Sequence, residues 1–270
     1  MRTLLVCTDF SGPAYHAARY AIVLAQQYSI SNITLFHGYR RFATATAMPP
    51  HPDEEAEQVK AINLQLEEQK QNLQANTSLN QIQILIRAEK LSLSENINQL
   101  CEEENADMII VGVTGSSHLE RGLMGSTMLD IVKNSKFPVC IVPGAAPLSP
   151  VTHVLFAYDF KHRISKAALT RLDETLSLLN AKVTIFNVDK NMANDDVYSQ
   201  LHVLEKHQPL YKSVEGDDVV ENIIHYSSSH NVSMIVAIPR HFNFLEQVIH
   251  RSTTQQLIYQ SMVPVLSLHD

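Results

Sequence analysis

Cysteine is scarce: three residues among 270, Cys7, Cys101 and Cys140. An odd, widely spaced set excludes a disulfide scaffold, and at least two of the three lie in apolar runs, where Cys acts as a small hydrophobe. That usage fits a reducing compartment, so a cytoplasmic protein is expected. Long apolar runs are missing as well. None approaches the roughly 20 residues of a membrane span, and Asp9 interrupts the N-terminal segment before any signal-peptide core could form. Basic clusters are a third absence. Lys and Arg number 21 against 28 Asp and Glu, for a net charge of -7. With no cationic stripe, nucleic acid is excluded as a partner, and a membrane is not expected to be one either.

What is present is ordinary for a folded soluble chain: 45% hydrophobic and 18% charged residues. A length of 270 residues exceeds the roughly 100 to 200 of one domain and suggests two. Self-similarity supports this. Thr3 to Phe10 (TLLVCTDF) matches His153 to Phe160 (HVLFAYDF), and Asn32 to Tyr39 (NITLFHGY) matches Lys182 to Asp189 (KVTIFNVD), both offset by 150 positions. Ala106 to Val113 (ADMIIVGV) matches Val232 to Pro239 (VSMIVAIP), and Phe137 to Val142 (FPVCIV) matches Val263 to Leu268 (VPVLSL), now offset by 126. The second copy is therefore 24 residues shorter in its middle, the difference falling around Arg40 to Asn80.

Each matched segment is a short Val-, Ile- and Leu-rich run without clean alternation, as expected of a strand buried on both faces. Amphipathic stretches of helical length lie between them, such as Ala14 to Tyr28, Ser92 to Asn105 and Ser126 to Ser135. Alternating β and α units predict parallel sheets with right-handed crossovers. The AAPLSP segment, Ala145 to Pro150, has linker composition, so domains are expected over residues 1–146 and 150–270.

Glycine is rare too, and its placement is informative. Of eight in the chain, Gly112, Gly115, Gly122 and Gly125 fall in one stretch, which follows an apolar strand ending near Val111 and precedes a helix starting near Ser126. Backbone N–H groups at such a strand-to-helix connection can hold phosphate oxygens, with the Ser126 and Thr127 hydroxyls adding donors. The stretch lacks the Lys of a P-loop and the spacing of the dinucleotide fingerprint. A plain flexible connection would also use glycine. Asp9, which closes the first strand, adds a second feature. If the strand order is flavodoxin-like, Asp9 and Gly112 flank the point where the order reverses, where open α/β sheets bind ligands.

An Asp closing the first strand and the pattern Gly112, two residues, Gly115, nine residues, Gly125-Ser126-Thr127 together resemble the ATP-binding form of the universal stress protein family. The resemblance implies two open, Rossmann-like parallel sheets of five strands, order 3-2-1-4-5, with helices on both faces. It implies that the last strands, Phe137 to Val142 and Val263 to Leu268, pair within the chain as a pseudo-dimer. A further homodimer stays open. It also implies ATP, with or without Mg²⁺: adenine and ribose near Thr8, Asp9 and Gly38, and triphosphate over Val111, Gly112, Thr114 and Gly115 and against Gly125, Ser126 and Thr127. Thr114 departs from the His or Arg often found there. The function implied is stress-response regulation.

The second copy keeps Asp159 but has Ala237 in the place of Gly112, Arg240 for Gly115 and Arg251 for Gly125, and Pro239 removes an N–H donor. No second nucleotide site is expected. Elsewhere, His202 and His207 miss the i, i+4 spacing of metal ligands, and His118, His241 and His250 have no ligand-type partners in sequence. Cys7 lacks a nearby His to activate it. The Glu- and Gln-rich run from Asp53 to Gln74 reads as a solvated helix face. Asp9 alone, without an orienting partner, argues against strong catalysis, although a slow ATPase and a nucleotide-free scaffold stand as alternatives.

Overall fold

The structure, a computed structural model, describes residues 3–39, 52–75, 82–113, 126–160, 163–188, 199–239 and 253–269. The first half runs β1 (Thr3–Cys7), α1 (Gly12–Tyr28), β2 (Asn32–Tyr39), α2 (Pro52–Ala75), β3 (Gln83–Lys90), α3 (Leu93–Glu103), β4 (Met108–Val113), α4 (Ser126–Asn134) and β5 (Val139–Pro143). The second runs β6 (His153–Ala157), α5 (Lys166–Leu179), β7 (Lys182–Val188), a 3-10 helix (Leu201–His207), β8 (Leu210–Val214), α6 (Val219–Ser229), β9 (Met234–Ala237), α7 (Thr253–Gln260) and β10 (Val265–Ser267). Among the described residues these strands form one ten-stranded sheet, ordered β3-β2-β1-β4-β5-β10-β9-β6-β7-β8.

Each half has the expected order 3-2-1-4-5, all parallel, and the halves meet through antiparallel β5 and β10, with Leu266 opposite Cys140. This is the intrachain pairing expected of Phe137 to Val142 and Val263 to Leu268. β1 shows why these runs do not alternate: Leu4 and Val6 enter the core under α1, α2 and α5, while Leu5 and Cys7 enter the one under α3, α4, α6 and α7. Both faces are covered, so every position from Leu4 to Cys7 is apolar.

α1 begins where it does because the Ser11 side chain accepts from the Ala14 N–H at 3.3 Å and Pro13 lies in the first turn. Its far end holds the junction between the halves. Gln27 Nε2 donates to the Val151 carbonyl at 2.7 Å and to the Leu179 carbonyl at 2.9 Å, while its Oε1 accepts from the Val151 N–H at 2.8 Å. Gln27→Ala removes all three bonds and leaves a buried N–H unpaired, so a loss of about 2 kcal/mol in urea unfolding is expected. An unchanged midpoint would show that the clamp contributes nothing.

Two expectations need correcting. Helix α2 is more than a solvated face: Ile62, Leu66 and Leu73 are buried in the core, and Gln69 is only 7% exposed. Their spacing over two to three turns makes one stripe, hidden in the sequence by flanking Glu and Gln. The second correction concerns register. Ile109 pairs with Val139 and Ile235 with Val265, so the counterpart of Gly112 is Ile238, with Ala237 matching Val111.

Candidate functional site

β1 and β4 lie side by side with Cys7 opposite Val111, although two strands and three helices separate them in sequence. The chain leaves β1 toward β2 on one side and returns to β4 on the other, so a crevice opens beyond their carboxyl ends. Thr8 and Asp9 emerge from β1, and Gly112 from β4, at this place. Gly38 stands on the same edge, near the end of β2.

Gly112 needs to be glycine for a reason internal to the fold. A Cβ there would collide with the backbone of Pro13 and approach the Ala14 nitrogen to 2.8 Å, so the first turn of α1 rests directly on the β4 backbone. The close approach that glycine permits is made by the chain itself. Gly38 differs: a Cβ there would find ordinary contacts, 3.4 Å to the Phe36 ring and 3.5 Å to the Leu91 carbonyl.

The loop after β1 is a compact turn. The Thr8 N–H donates to the Phe36 carbonyl at 2.9 Å. Thr8 Oγ1 accepts from the Phe10 N–H at 3.0 Å, and Asp9 Oδ1 accepts from the Ser11 N–H at 3.0 Å. Phe10 takes φ 64°, a left-handed conformation unusual for a bulky side chain. The turn thus leaves Asp9 exposed at the crevice, and its Oδ2 has no partner among the described residues. Beneath the turn, Thr8 Oγ1 donates to Gln69 Oε1 at 3.1 Å, and His37 Nδ1 lies 2.8 Å from the Thr8 carbonyl. Gln69 and His37 were not among the residues expected at the site. The buried stripe of α2 and the position of His37 beside Thr8 were the available signals.

Of the expected residues, Thr8, Asp9, Gly38, Val111 and Gly112 come together on one edge of the sheet, Val111 as a buried strand residue. Thr114, Gly115 and Gly125 lie outside the described residues. Ser126 and Thr127 form the first turn of α4. Cys7, next to the crevice, is buried, and burial pushes its thiol well above the usual range, with Cys101 adding to the shift. Burial, helped by Glu102, pushes Cys101 up to about 12, and burial alone does the same to Cys140. None of the three provides a thiolate nucleophile near neutral pH. Among the described residues no group of three or more His, Cys, Asp and Glu could hold a metal ion, and no helix is long and apolar enough to cross a membrane.

The corresponding place in the second half is filled. Tyr158 replaces Thr8, and its ring, 9% exposed, packs 5.6 Å from Phe156 and 4.8 Å from Phe160. Gln200 Nε2 donates to the Tyr158 hydroxyl at 2.8 Å. Phe160 repeats the left-handed turn with φ 53°. The backbone device is thus kept in both halves, while an aromatic ring occupies the space beneath the second one.

Comparison with known proteins gives a consistent result. A stretch of 49 residues is 39% identical to a universal stress protein of Methanocaldococcus jannaschii, covering 18% of this chain and 29% of that relative's length. A universal stress protein of Archaeoglobus fulgidus DSM 4304 shares the fold across 99% of this chain and 96% of its own, with TM-score 0.70 and 18% identity. A functionally unknown protein from Pseudomonas aeruginosa PAO1 does so across 100% and 92%, with TM-score 0.57 and 14% identity. At these identities the likeness concerns fold. The model of the universal stress protein family matches residues 1–143, more than half of the sequence, and the chain belongs to that family.

Proposed function

We propose that the first half binds one adenine nucleotide, ATP with or without Mg²⁺, in the crevice between β1 and β4, and that the protein acts as a nucleotide-occupied regulator in stress response, without strong catalysis. The observation that carries this reading is the Thr8 to Ser11 turn, which leaves the Asp9 carboxylate exposed near the Gly112 end of β4, with Oδ2 unpartnered among the described residues. A free carboxylate oxygen at that point suits the hydroxyls of a ribose. The helix α4, beginning at Ser126, offers N–H groups to phosphate oxygens. No ligand set for Mg²⁺ exists among the described residues, so the ion would arrive on the phosphates.

Catalysis has little support, because Asp9 has no described partner to orient it as a base beyond the Ser11 N–H. The proposed division of labour gives the first domain, over residues 1–146, the nucleotide site and the second, over 150–270, a packing role. The test compares two variants by calorimetric titration with ATP and Mg²⁺. Gly125→Val is expected to abolish binding while thermal melting stays cooperative, since a side chain there blocks phosphate approach. Asp159→Ala is expected to bind like the parent protein. Loss of binding in Asp159→Ala with retention in Gly125→Val would reverse the assignment.

A further inference from the structure

Gln69 is carried by α2, yet the hydroxyl it meets belongs to the turn that exposes Asp9. Resting on the nucleotide reading above, we propose that Gln69 is a positioning residue for that turn: it anchors Thr8 to α2, so that nucleotide occupancy and the docking of α2 are coupled.

Thr8 is the fixed point of the turn. Cys7 pairs with Phe36, and the Thr8 N–H extends that pairing by donating to the Phe36 carbonyl at 2.9 Å. The Thr8 carbonyl faces His37 Nδ1 at 2.8 Å, and since a carbonyl cannot donate, Nδ1 carries the hydrogen. The hydroxyl makes two more bonds. Oγ1 accepts the Phe10 N–H at 3.0 Å, which leaves its own proton for Gln69 Oε1 at 3.1 Å. The bond to Phe10 spans Asp9, and Phe10 takes φ 64°. A bulky residue keeps that conformation only where its surroundings hold it. Because one hydroxyl serves both partners, the Thr8 rotamer that holds Phe10 is the one that Gln69 selects. Two bonds in series thus join α2 to the backbone just after Asp9.

The second half has the same device in a completed form. Gln200, like Gln69, lies in the connection between the second and third strands of its half. Its Nε2 donates to the hydroxyl of Tyr158, the residue in the place of Thr8, and its Oε1 accepts the Ile164 N–H, 2.8 Å in each case. Both ends of that amide are used. Gln69 is 7% exposed, and its Nε2 is buried without a partner among the described residues. An unpaired buried donor weakens the docking of the helix that carries it. The clamp of the first half is therefore the looser one, and α2, seated on Ile62, Leu66 and Leu73, is the element able to respond. A nucleotide that holds Asp9 also holds Thr8 and favours docked α2. By reciprocity, docked α2 favours the nucleotide.

Calorimetric titration of the full chain with ATP and Mg²⁺, together with hydrogen exchange of the α2 amides with and without ATP, tests this. The proteins compared are the parent, Gln69→Met, Thr8→Val and the double variant. Gln69→Met keeps length and burial and is expected to weaken ATP about tenfold, as for one hydrogen bond. Its melting changes little, because it removes one unpaired buried group and creates another at the Thr8 hydroxyl. Thr8→Val weakens ATP at least as much, since it also frees the Phe10 N–H. The double variant binds no worse than Thr8→Val, because both changes break the same link. In the parent, ATP slows exchange across Ile62 to Leu73 severalfold, and in Gln69→Met that protection is lost. Unchanged affinity in Gln69→Met, or a double variant weaker than Thr8→Val by the full Gln69→Met factor, overturns the proposal. So does parent exchange that ATP leaves unaltered. Nucleotide binding stands in all three cases. Should the variants not fold, the exchange of the parent decides alone. No binding of ATP by the parent overturns the nucleotide reading and this proposal with it.

Discussion

Gly112→Ala melts about 5–10 °C below the parent protein, the shift for a loss of about 3 kcal/mol in a chain of this size. One methyl group has this effect because of where it would point. The added Cβ meets the Pro13 backbone and comes within 2.8 Å of the Ala14 nitrogen, in the first turn of α1. A flexible side chain could move aside, but here the neighbour is backbone, held by the Ser11 cap and by α1's packing on β4 and β5. Relief requires α1 to lift, which opens the core around Ala17, Ala18 and Ala21, all buried without exposure. The same shift would displace the turn carrying Asp9, so nucleotide affinity falls together with stability. Gly38→Ala is the control: its Cβ meets nothing closer than 3.4 Å, and its melting stays within about 2 °C. A Gly112→Ala protein as stable as its parent would show that α1 does not rest on β4 there.

The second large effect is expected at the join between the halves. Leu266 is fully buried, pairs with Cys140 across the antiparallel β5–β10 contact, and packs in the core that runs under α1 and α5. Leu266→Asp places a carboxylate in that apolar core, and an uncompensated buried charge costs about 3–5 kcal/mol. Denaturant unfolding of this variant is expected to lose that amount, or to split into two transitions as the halves part. One cooperative transition at the parent's midpoint would mean that the two halves are held together elsewhere.

Much of this architecture was legible because a strand covered on both faces is largely apolar, and because the chain repeats itself. β1, β2, β4 and β5 were visible in their matches to β6, β7, β9 and β10. β3 and β8 were harder to read. They are the sheet's two edges, QILIRAEK and LYKSV, and with one neighbour each they need not resemble one another. The buried stripe of α2 was masked by glutamate and glutamine around Ile62, Leu66 and Leu73. Gln69 was missed because a buried glutamine carries no sequence mark until the hydroxyl it meets is known.

The placement of Asp9 and Gly112 was legible in outline. Asp9 and Gly112 each lie within two residues of the Cys7–Val111 pair that ends the β1–β4 pairing, where the flavodoxin-like order reverses. The reason for glycine was different. At Gly112 the approaching backbone belongs to Pro13, so that residue alone says little about a ligand. The second half also differs from the first in more than its glycines. The ring of Tyr158 takes the space, and the offset of 150 positions already placed it opposite Thr8.

Isothermal titration of the intact chain with ATP and Mg²⁺, read for stoichiometry and followed by assay of the mixture for ADP, tests the asymmetric-site account most directly. One ATP per chain with little ADP is the expected result, the first half binding and the second closed by Tyr158. Two equivalents per chain, or none, would contradict it.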